Sequence, residues 1–204
     1  MKKIPCITFF IFCFSLFIKG QEESGQYIRK GLFRSAGTFA AGTFLHSGNS
    51  TIYLQGTAEY YLNEKVSLRG DGFYGLKVSE EEHELMKLYL ISNDQLFSGA
   101  SYHFKTNSHL DAFVGLQTGI AIARSGIEYG LLELVYPEKP VVNPLFAVNA
   151  GLNYYFQKWF HLFLEARYVH ATHIARGGSI PLSELRFSFG LGWNMNFIRE
   201  KTGT

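Results

Sequence analysis

The stretch that decides the fold lies near the end of the chain and reads Leu185-Arg-Phe-Ser-Phe-Gly-Leu-Gly-Trp-Asn-Met-Asn-Phe197. Every second residue is apolar, and the residues between them are polar or small. Because a β-strand turns successive side chains to opposite faces, this pattern predicts a strand with one apolar face and one polar or crowded face. The stretch is longer than the average globular strand of about 5–6 residues and than the roughly 9–11 residues that cross a bilayer as a tilted strand.

The first twenty residues form a separate segment. Lys2 and Lys3 precede an almost wholly apolar run from Ile4 to Ile18, and Gly20 offers a small-residue cleavage point. This order is typical of a secretory signal peptide, which leaves 21–204 as one domain; an uncleaved N-terminal helix is the alternative. Both cysteines lie in this segment, so the mature chain is predicted to have neither disulfides nor a thiolate metal site.

Cleavage also changes the charge balance. Removal of Lys2, Lys3 and Lys19 reduces the basic residues from 19 to 16, against 17 acidic residues, so the mature chain is close to neutral. No basic block remains in the sequence, and we therefore expect no nucleic-acid partner. No later window of about 18 apolar residues occurs, which argues against an α-helical membrane protein.

The alternating pattern recurs along the rest of the chain. Seven further segments show it, the first more weakly: 31–45, 52–62, 66–76, 96–104, 110–122, 146–156 and 160–168. The connections between segments alternate in length, with tight or short turns at 63–64, 105–109 and 157–158 and the others at 46–50, 77–94, 124–143 and 173–182. An even number of strands with short turns at one end indicates a closed up-and-down barrel. We therefore predict an all-β, eight-stranded antiparallel transmembrane β-barrel with both termini in the periplasm.

Three features favour a membrane barrel over a soluble one such as a lipocalin. The lysines after residue 20 fall in loops, turns, strand edges or the tail, whereas a soluble barrel commonly carries lysines on its outer face. The charges inside the strands are nearly balanced, which suits lumen ion pairs because an unpaired buried charge is costly; the candidates are Glu59, Arg69, Asp71, Asp111, Glu165, Arg167 and Arg186. Aromatic residues gather near the tight-turn ends, where an interfacial girdle is expected: Tyr60, Tyr102, Phe104, Tyr154, Phe156, Trp159, Phe160, Trp193 and Phe197.

Four segments carry a resemblance to a known family: Phe97-Ser-Gly-Ala-Ser-Tyr-His-Phe104, Asp111-Ala-Phe-Val-Gly115, Gly151-Leu-Asn-Tyr-Tyr155 and the final strand up to Trp193. Over essentially the whole mature length the chain resembles the small single-domain outer-membrane β-barrel proteins of Gram-negative bacteria. The resemblance implies an outer-membrane location and contact with outer-membrane lipid and lipopolysaccharide. Such barrels often end on the aromatic residue of the last strand, whereas here a polar tail follows.

A second, local resemblance concerns chemistry. The segment Arg167-Tyr-Val-His-Ala-Thr172, followed by Glu184, is similar to the catalytic segment of the outer-membrane lipid A 3-O-deacylases, which carry a His-x-Ser pair late in the penultimate strand and an acid farther on. The resemblance implies Thr172 as nucleophile, His170 as base and Glu184 as the group that orients the imidazole. Threonine stands where the family has serine, and His173 where it has asparagine. The alternative is that His170 and Thr172 are ordinary strand residues at the membrane interface.

These observations favour a non-enzymatic, porin-like outer-membrane protein with no cofactor and no metal, in an envelope-structural or surface-contact role. The long loops at 77–94 and 124–143 would meet an extracellular ligand or protein; within the first, Leu85 to Ile91 is apolar enough to be strand instead. Within the first loop, Glu80 to Glu84 are predicted to form a hydrated acidic tip, with divalent-cation binding as the alternative. A lipid A-modifying hydrolase is the second hypothesis and a narrow channel the third; eight strands enclose an interior roughly filled by side chains, which argues against transport.

Overall fold

The computed structural model describes residues 27–78, 86–105, 109–129, 134–137, 139–175 and 178–196. The predicted signal peptide, the acidic segment 80–84 and Phe197 lie outside the described residues. Within the described ranges the chain forms ten β-strands. In these same ranges there is no helix with the length and apolar character needed to cross a membrane.

Eight strands form a closed wall: β1 (Leu32–Phe44), β2 (Ser50–Tyr61), β3 (Val66–Val78), β4 (Met86–Lys105), β5 (Leu110–Tyr129), β7 (Val141–Gln157), β8 (Phe160–Ala175) and β10 (Glu184–Asn196). Each pairs antiparallel with the next wall strand, and β10 pairs with β1, so the sheet closes. The short strands β6 (Leu134–Pro137) and β9 (Gly178–Pro181) pair with β5 and β8. The predicted eight-stranded barrel is therefore confirmed. We call the end with the turns at 62–65 and 158–159 the turn end, and the opposite end the far end.

A path along the register partners fixes the size of the barrel. From Arg34 on β1 it runs through Glu59, Arg69, Gly99, Gln117, Ala147, Val169 and Glu184, and it returns to β1 at Phe44. The return point lies ten residues along β1 from the start, so the strands are tilted, as they must be in a closed barrel, where tilts of about 35–45° are typical. Eight strands at such a tilt leave an interior that side chains fill.

The two faces of the wall follow the alternation in the sequence. On β10 the buried side chains are polar and the exposed ones apolar: Arg186, Ser188 and Asn194 face inward, whereas Phe187, Phe189 and Trp193 face outward. The same division holds on β2, where Gln55 and Glu59 are buried and Leu54 is exposed. An apolar outer face around a polar interior is the arrangement of a barrel that meets lipid.

The strands extend farther toward the far end than the sequence predicts. β4 already begins at Met86, so the predicted loop at 77–94 is largely strand, and the predicted loop at 124–143 contains the end of β5, all of β6 and the start of β7. The predicted loop at 173–182 contains β9. In β4 the register shifts between Leu90 and Ser92, and Leu90 and Asn93 are both buried. This irregularity breaks the every-second-residue pattern, which is why the pattern locates β4 only from residue 96.

Residues 27–31 form a strap that closes the turn end of the barrel. Ile28 packs with Leu32, Tyr61 and Tyr155, and the ring of Tyr27 stacks on Tyr155 with 5.6 Å between centroids. Gly31 has a φ of 82°, and its N–H donates to the carbonyl of Tyr61 at 2.9 Å. Because glycine adopts positive φ without strain, the chain can turn under the barrel and enter β1.

Candidate functional site in the barrel lumen

The lumen holds a connected set of buried charges. All seven residues predicted to face it are buried, and each takes part in at least one ion pair. Three more buried ionisable residues join them, namely Arg34, His103 and Glu184. The described lumen can therefore be divided into a middle, a far and a turn-end cluster of charges.

The middle cluster is built from two residue pairs that each lie two apart on one strand and so share the inner face. Arg69 Nη2 lies 3.0 Å from Asp71 Oδ1, and Arg167 Nη2 lies 2.9 Å from Glu165 Oε1. The pairs are joined across the lumen, because Arg167 Nη2 also donates to Asp71 Oδ2 at 2.7 Å and Arg69 pairs with Glu165. Gln117 donates to the same Asp71 oxygen at 2.7 Å. The cluster thus ties β3, β5 and β8 together.

Arginine and aromatic side chains alternate across the lumen toward the far end. The guanidinium of Arg167 lies 4.9 Å from the ring centroid of Phe73 and 4.8 Å from that of Phe97. Next to Phe73, the guanidinium of Arg186 lies 4.7 Å from the Phe73 ring centroid and 4.0 Å from the ring centroid of Tyr53. Such cation–π contacts are worth about 2 kcal/mol when desolvated. The stack fills the bore with side chains from β2, β3, β4, β8 and β10.

The far cluster centres on Glu184, at the first residue of β10. Its carboxylate accepts hydrogen bonds from Tyr53 at 2.9 Å, from Arg186 at 2.6 Å and from Thr51. A Cβ on Gly42 would overlap Glu184 Oε1, so the absence of a side chain at position 42 makes room for the carboxylate. Glu184 is therefore a fully engaged lumen residue.

The three residues of the implied hydrolase do not come together. His170 and Thr172 are exposed on the outer face of β8, whereas Glu184 is buried on the inner face of β10. The reason is parity, since the inward residues are odd-numbered on β8 and even-numbered on β10. The imidazole of His170 instead lies 3.0 Å from the hydroxyl of Ser183. The orienting role implied for Glu184 therefore has no counterpart in this geometry.

The turn-end cluster surrounds His103. Its Nδ1 lies 2.8 Å from Asp111 Oδ2, and its Nε2 lies 3.0 Å from Glu59 Oε1 and 2.9 Å from Ser67 Oγ. Arg34 pairs with Glu59, and its Nη1 lies 3.8 Å from Asp111 Oδ2. Ser67, His103 and Asp111 are thus connected in the order of a hydrolytic triad. All of them are buried, and Glu59 shares the imidazole nitrogen that a nucleophilic serine would need.

Little space remains beside this cluster. A cavity of about 20 Å³ is lined by Arg34, Glu59, Arg69, Asn153, His161 and Glu165, among others. A cavity of this size has room for about one water molecule. Among the described residues, no group of three or more histidine, cysteine, aspartate or glutamate side chains could hold a metal ion.

Sequence reasoning missed Arg34 and His103 for different reasons. Arg34 lies in β1, where alanine, glycine and threonine on both faces hide the alternation. His103 lies at an inward-facing position of β4, but a histidine that is counted as neutral gives no reason to place it among charged residues. The signal that could have found it is the surplus of strand carboxylates over strand arginines.

Known proteins share this fold at low sequence identity. No protein-family model matches the chain, and no curated protein matches its sequence. Among solved structures, the outer membrane protein OprG from Pseudomonas aeruginosa is 14% identical with a TM-score of 0.59, covering 82% of this chain and 97% of that one. Neisserial surface protein A is 14% identical with a TM-score of 0.58, covering 81% and 98%. Ail, the attachment invasion locus protein of Yersinia pestis, is 13% identical with a TM-score of 0.53, covering 81% and 99%. The chain has the fold of the small outer-membrane β-barrels.

Proposed function

We propose that the chain is an integral outer-membrane protein with an envelope-structural or surface-contact role that requires no catalysis. The observation that carries the proposal is the inverted polarity of the wall. Phe39, Leu116 and Phe189 are each at least 60% exposed on the outer face, whereas the strand arginines and carboxylates of the clusters lie inside. A closed ladder also satisfies the backbone groups that lipid cannot.

The orientation follows from the two ends of the barrel. β1 begins and β10 ends at the turn end, where Leu32 pairs with Asn196, and this end is placed in the periplasm because outer-membrane barrels have short periplasmic turns. Both cysteines precede residue 14. After cleavage of the signal peptide, a variant with one introduced cysteine therefore carries only that cysteine. In intact cells a membrane-impermeant maleimide should label R124C at the far end and spare K158C at the turn end. The opposite pattern would contradict the orientation.

The filled lumen supports a sealed barrel rather than a channel. Phe73 lies between the guanidinium groups of Arg167 and Arg186, and the cavity beside the turn-end cluster has room for about one water molecule. The purified protein should therefore leave planar bilayers silent. Stepwise conductance that disappears in a heat-unfolded control would establish the channel instead.

Among the residues that the structure describes, a hydrolase role lacks a complete site on either face of the wall. Incubation with lipopolysaccharide, followed by mass spectrometry of the lipid A, should show no released fatty acid. Release that is lost in H170A, while the heat-modifiable gel mobility of the folded barrel is kept, would overturn this part of the proposal. A matched T172V variant would then report whether the threonine hydroxyl is the nucleophile.

The far end offers the surface for contact. The ends of β4 and β5, extended by β6, and the pairing of β8 with β9 build strands at this end. If the role is contact, coupling a bulky, membrane-impermeant maleimide to R124C should reduce attachment of the expressing cells to a surface, and the same treatment of cells that express K158C should not. If the role is structural, deletion of the gene should instead sensitise cells to detergent. If neither effect is observed, both forms of the proposed role are rejected.

A further inference from the structure

His103 lies between two carboxylates that come from different strands. Asp111 on β5 faces its Nδ1 at 2.8 Å, and Glu59 on β2 faces its Nε2 at 3.0 Å. A neutral imidazole has only one N–H. It could donate to one of these carboxylates but would then turn a lone pair toward the other.

The contact between Nε2 and Glu59 therefore requires a proton between the two atoms. The hydroxyl of Ser67 cannot supply it, because its one hydrogen can point to Glu59 Oε1 or to Nε2 and in either case lies outside the contact between these two atoms. A proton held by Glu59 would neutralise the carboxylate that Arg34 pairs with. The arginine thus favours the ionised carboxylate, and the proton belongs on the imidazole.

The charge count of the lumen agrees with this assignment. The buried arginines of the described chain are four, Arg34, Arg69, Arg167 and Arg186, and the buried carboxylates are five, Glu59, Asp71, Asp111, Glu165 and Glu184. A protonated His103 supplies the fifth positive charge. Because an uncompensated buried charge is costly, neutrality of the filled lumen depends on this proton.

We propose that His103 is a proton-binding site whose imidazole is a cation in the folded barrel, and that the bound proton locks the turn-end cluster of the lumen. The groups that face the imidazole, its carboxylate partners or a residue in contact with them are Arg34 from β1, Glu59 and Tyr61 from β2, Ser67 and Arg69 from β3, Asp111 and Phe113 from β5, and Asn153 and Tyr155 from β7. The same geometry makes Nε2 a hydrogen-bond donor. In the Ser67-His103-Asp111 arrangement the imidazole is therefore a cation and cannot act as a catalytic base.

The chain contains a matched control at a second buried histidine. His161 on β8 lines the cavity beside the same cluster, but its Nδ1 lies 2.7 Å from the amide oxygen of Asn194. One N–H satisfies that contact, so a neutral imidazole suffices. We therefore expect His103 and His161 to differ in charge within one lumen.

Nitrogen-15 NMR of the ring-labelled protein in lipid nanodiscs tests the proposal directly. At about pH 8 an ordinary imidazole, with a pKa of about 6.5, is only about 3% protonated. The His103 ring should instead give two protonated nitrogens, an increase of about 30-fold in the charged fraction, and His161 should give one protonated and one bare nitrogen. Signals are assigned from H103Q and H161Q, or by elimination from the other His→Gln variants if H103Q does not fold. A bare ring nitrogen at His103 in the wild-type protein at this pH overturns the proposal.

Two further measurements separate a proton site from a merely buried ring. In E59Q, which removes one carboxylate and keeps the shape, His103 should become neutral at about pH 8; an unchanged imidazolium would overturn the role of Glu59. In urea titrations, the folded protein should keep a proton that the unfolded chain releases above about pH 6.5. The unfolding equilibrium constant should then rise with pH, relative to that of H103Q, by up to about tenfold per pH unit. Parallel pH profiles of the wild-type protein and H103Q would contradict the inference.

Discussion

Replacing Arg167 with methionine removes a side chain that holds two carboxylates and two rings at once. Its guanidinium contacts Asp71 at 2.7 Å and Glu165 at 2.9 Å, and it stacks on Phe73 and Phe97. Removing one partner from a buried charge network costs about 3–5 kcal/mol. Arg69 still contacts both carboxylates after the change, so we expect a loss of about 3 kcal/mol, at the lower end of that range.

Urea-induced unfolding from lipid vesicles measures this loss. The two tryptophans, Trp159 and Trp193, are both exposed on the outer surface near the turn end and report the transfer from lipid to water. R124M carries the same substitution at an exposed position and should change the free energy of unfolding by about 0.5 kcal/mol or less. R167K keeps the charge but loses the planar fork, and it should fall between the two. A loss below about 1 kcal/mol in R167M, or equal losses in R167M and R124M, would refute the reasoning, because the ion pairs would then only balance their own desolvation.

Three further predictions concern packing, lipid contact and the strap. G42A should destabilise the barrel by about 1–3 kcal/mol because the new methyl group overlaps a buried carboxylate, whereas G37A on the same strand, where a Cβ meets nothing within 4 Å, should leave the urea midpoint unchanged. F189R in the middle of β10 should cost about 2–4 kcal/mol in vesicles, and W159R in a turn about 0–1 kcal/mol; similar costs would place the membrane elsewhere. I28A should cost about 2–5 kcal/mol if the strap belongs to the folded barrel, and an unchanged midpoint would show that it does not.

The fold could be predicted from the sequence because two independent patterns agree. Alternation along Leu185–Phe197 and its repeats gives the strands, and the spacing of tight turns gives an even, antiparallel order. The prediction failed where the chain departs from a period of two residues, as at the register shift beside Leu90. The predicted segments for β5, β7 and β8 are also shorter than the observed strands. At the far end both faces of the wall carry polar residues, so the alternation is lost and the end of a strand is assigned to a loop.

The sequence predicts part of the lumen, without Arg34 and His103, and it does not predict which of the lumen residues are in contact. Parity alone puts Arg69, Asp71 and Arg167 inside. Which of them meet depends on the ten-residue register offset around the barrel, and no local pattern encodes that offset. The same limit affected Glu184, because its position at the start of β10 makes it an inward residue that does not meet His170 on the outer face of β8.

The closed register path has a consequence for how such a chain can change length. In an open sheet, an inserted residue can be absorbed by sliding the outermost strand. In this ring every strand has two hydrogen-bonded neighbours, so one extra residue inside a wall strand must be taken up by a β-bulge, as at the register shift beside Leu90, or it turns part of that strand inside out and displaces every later partner until the path meets β1 again. Insertions and deletions should therefore be tolerated at the strand connections, and inside the wall only as bulges or compensated pairs. Length varies most freely where the ladder ends.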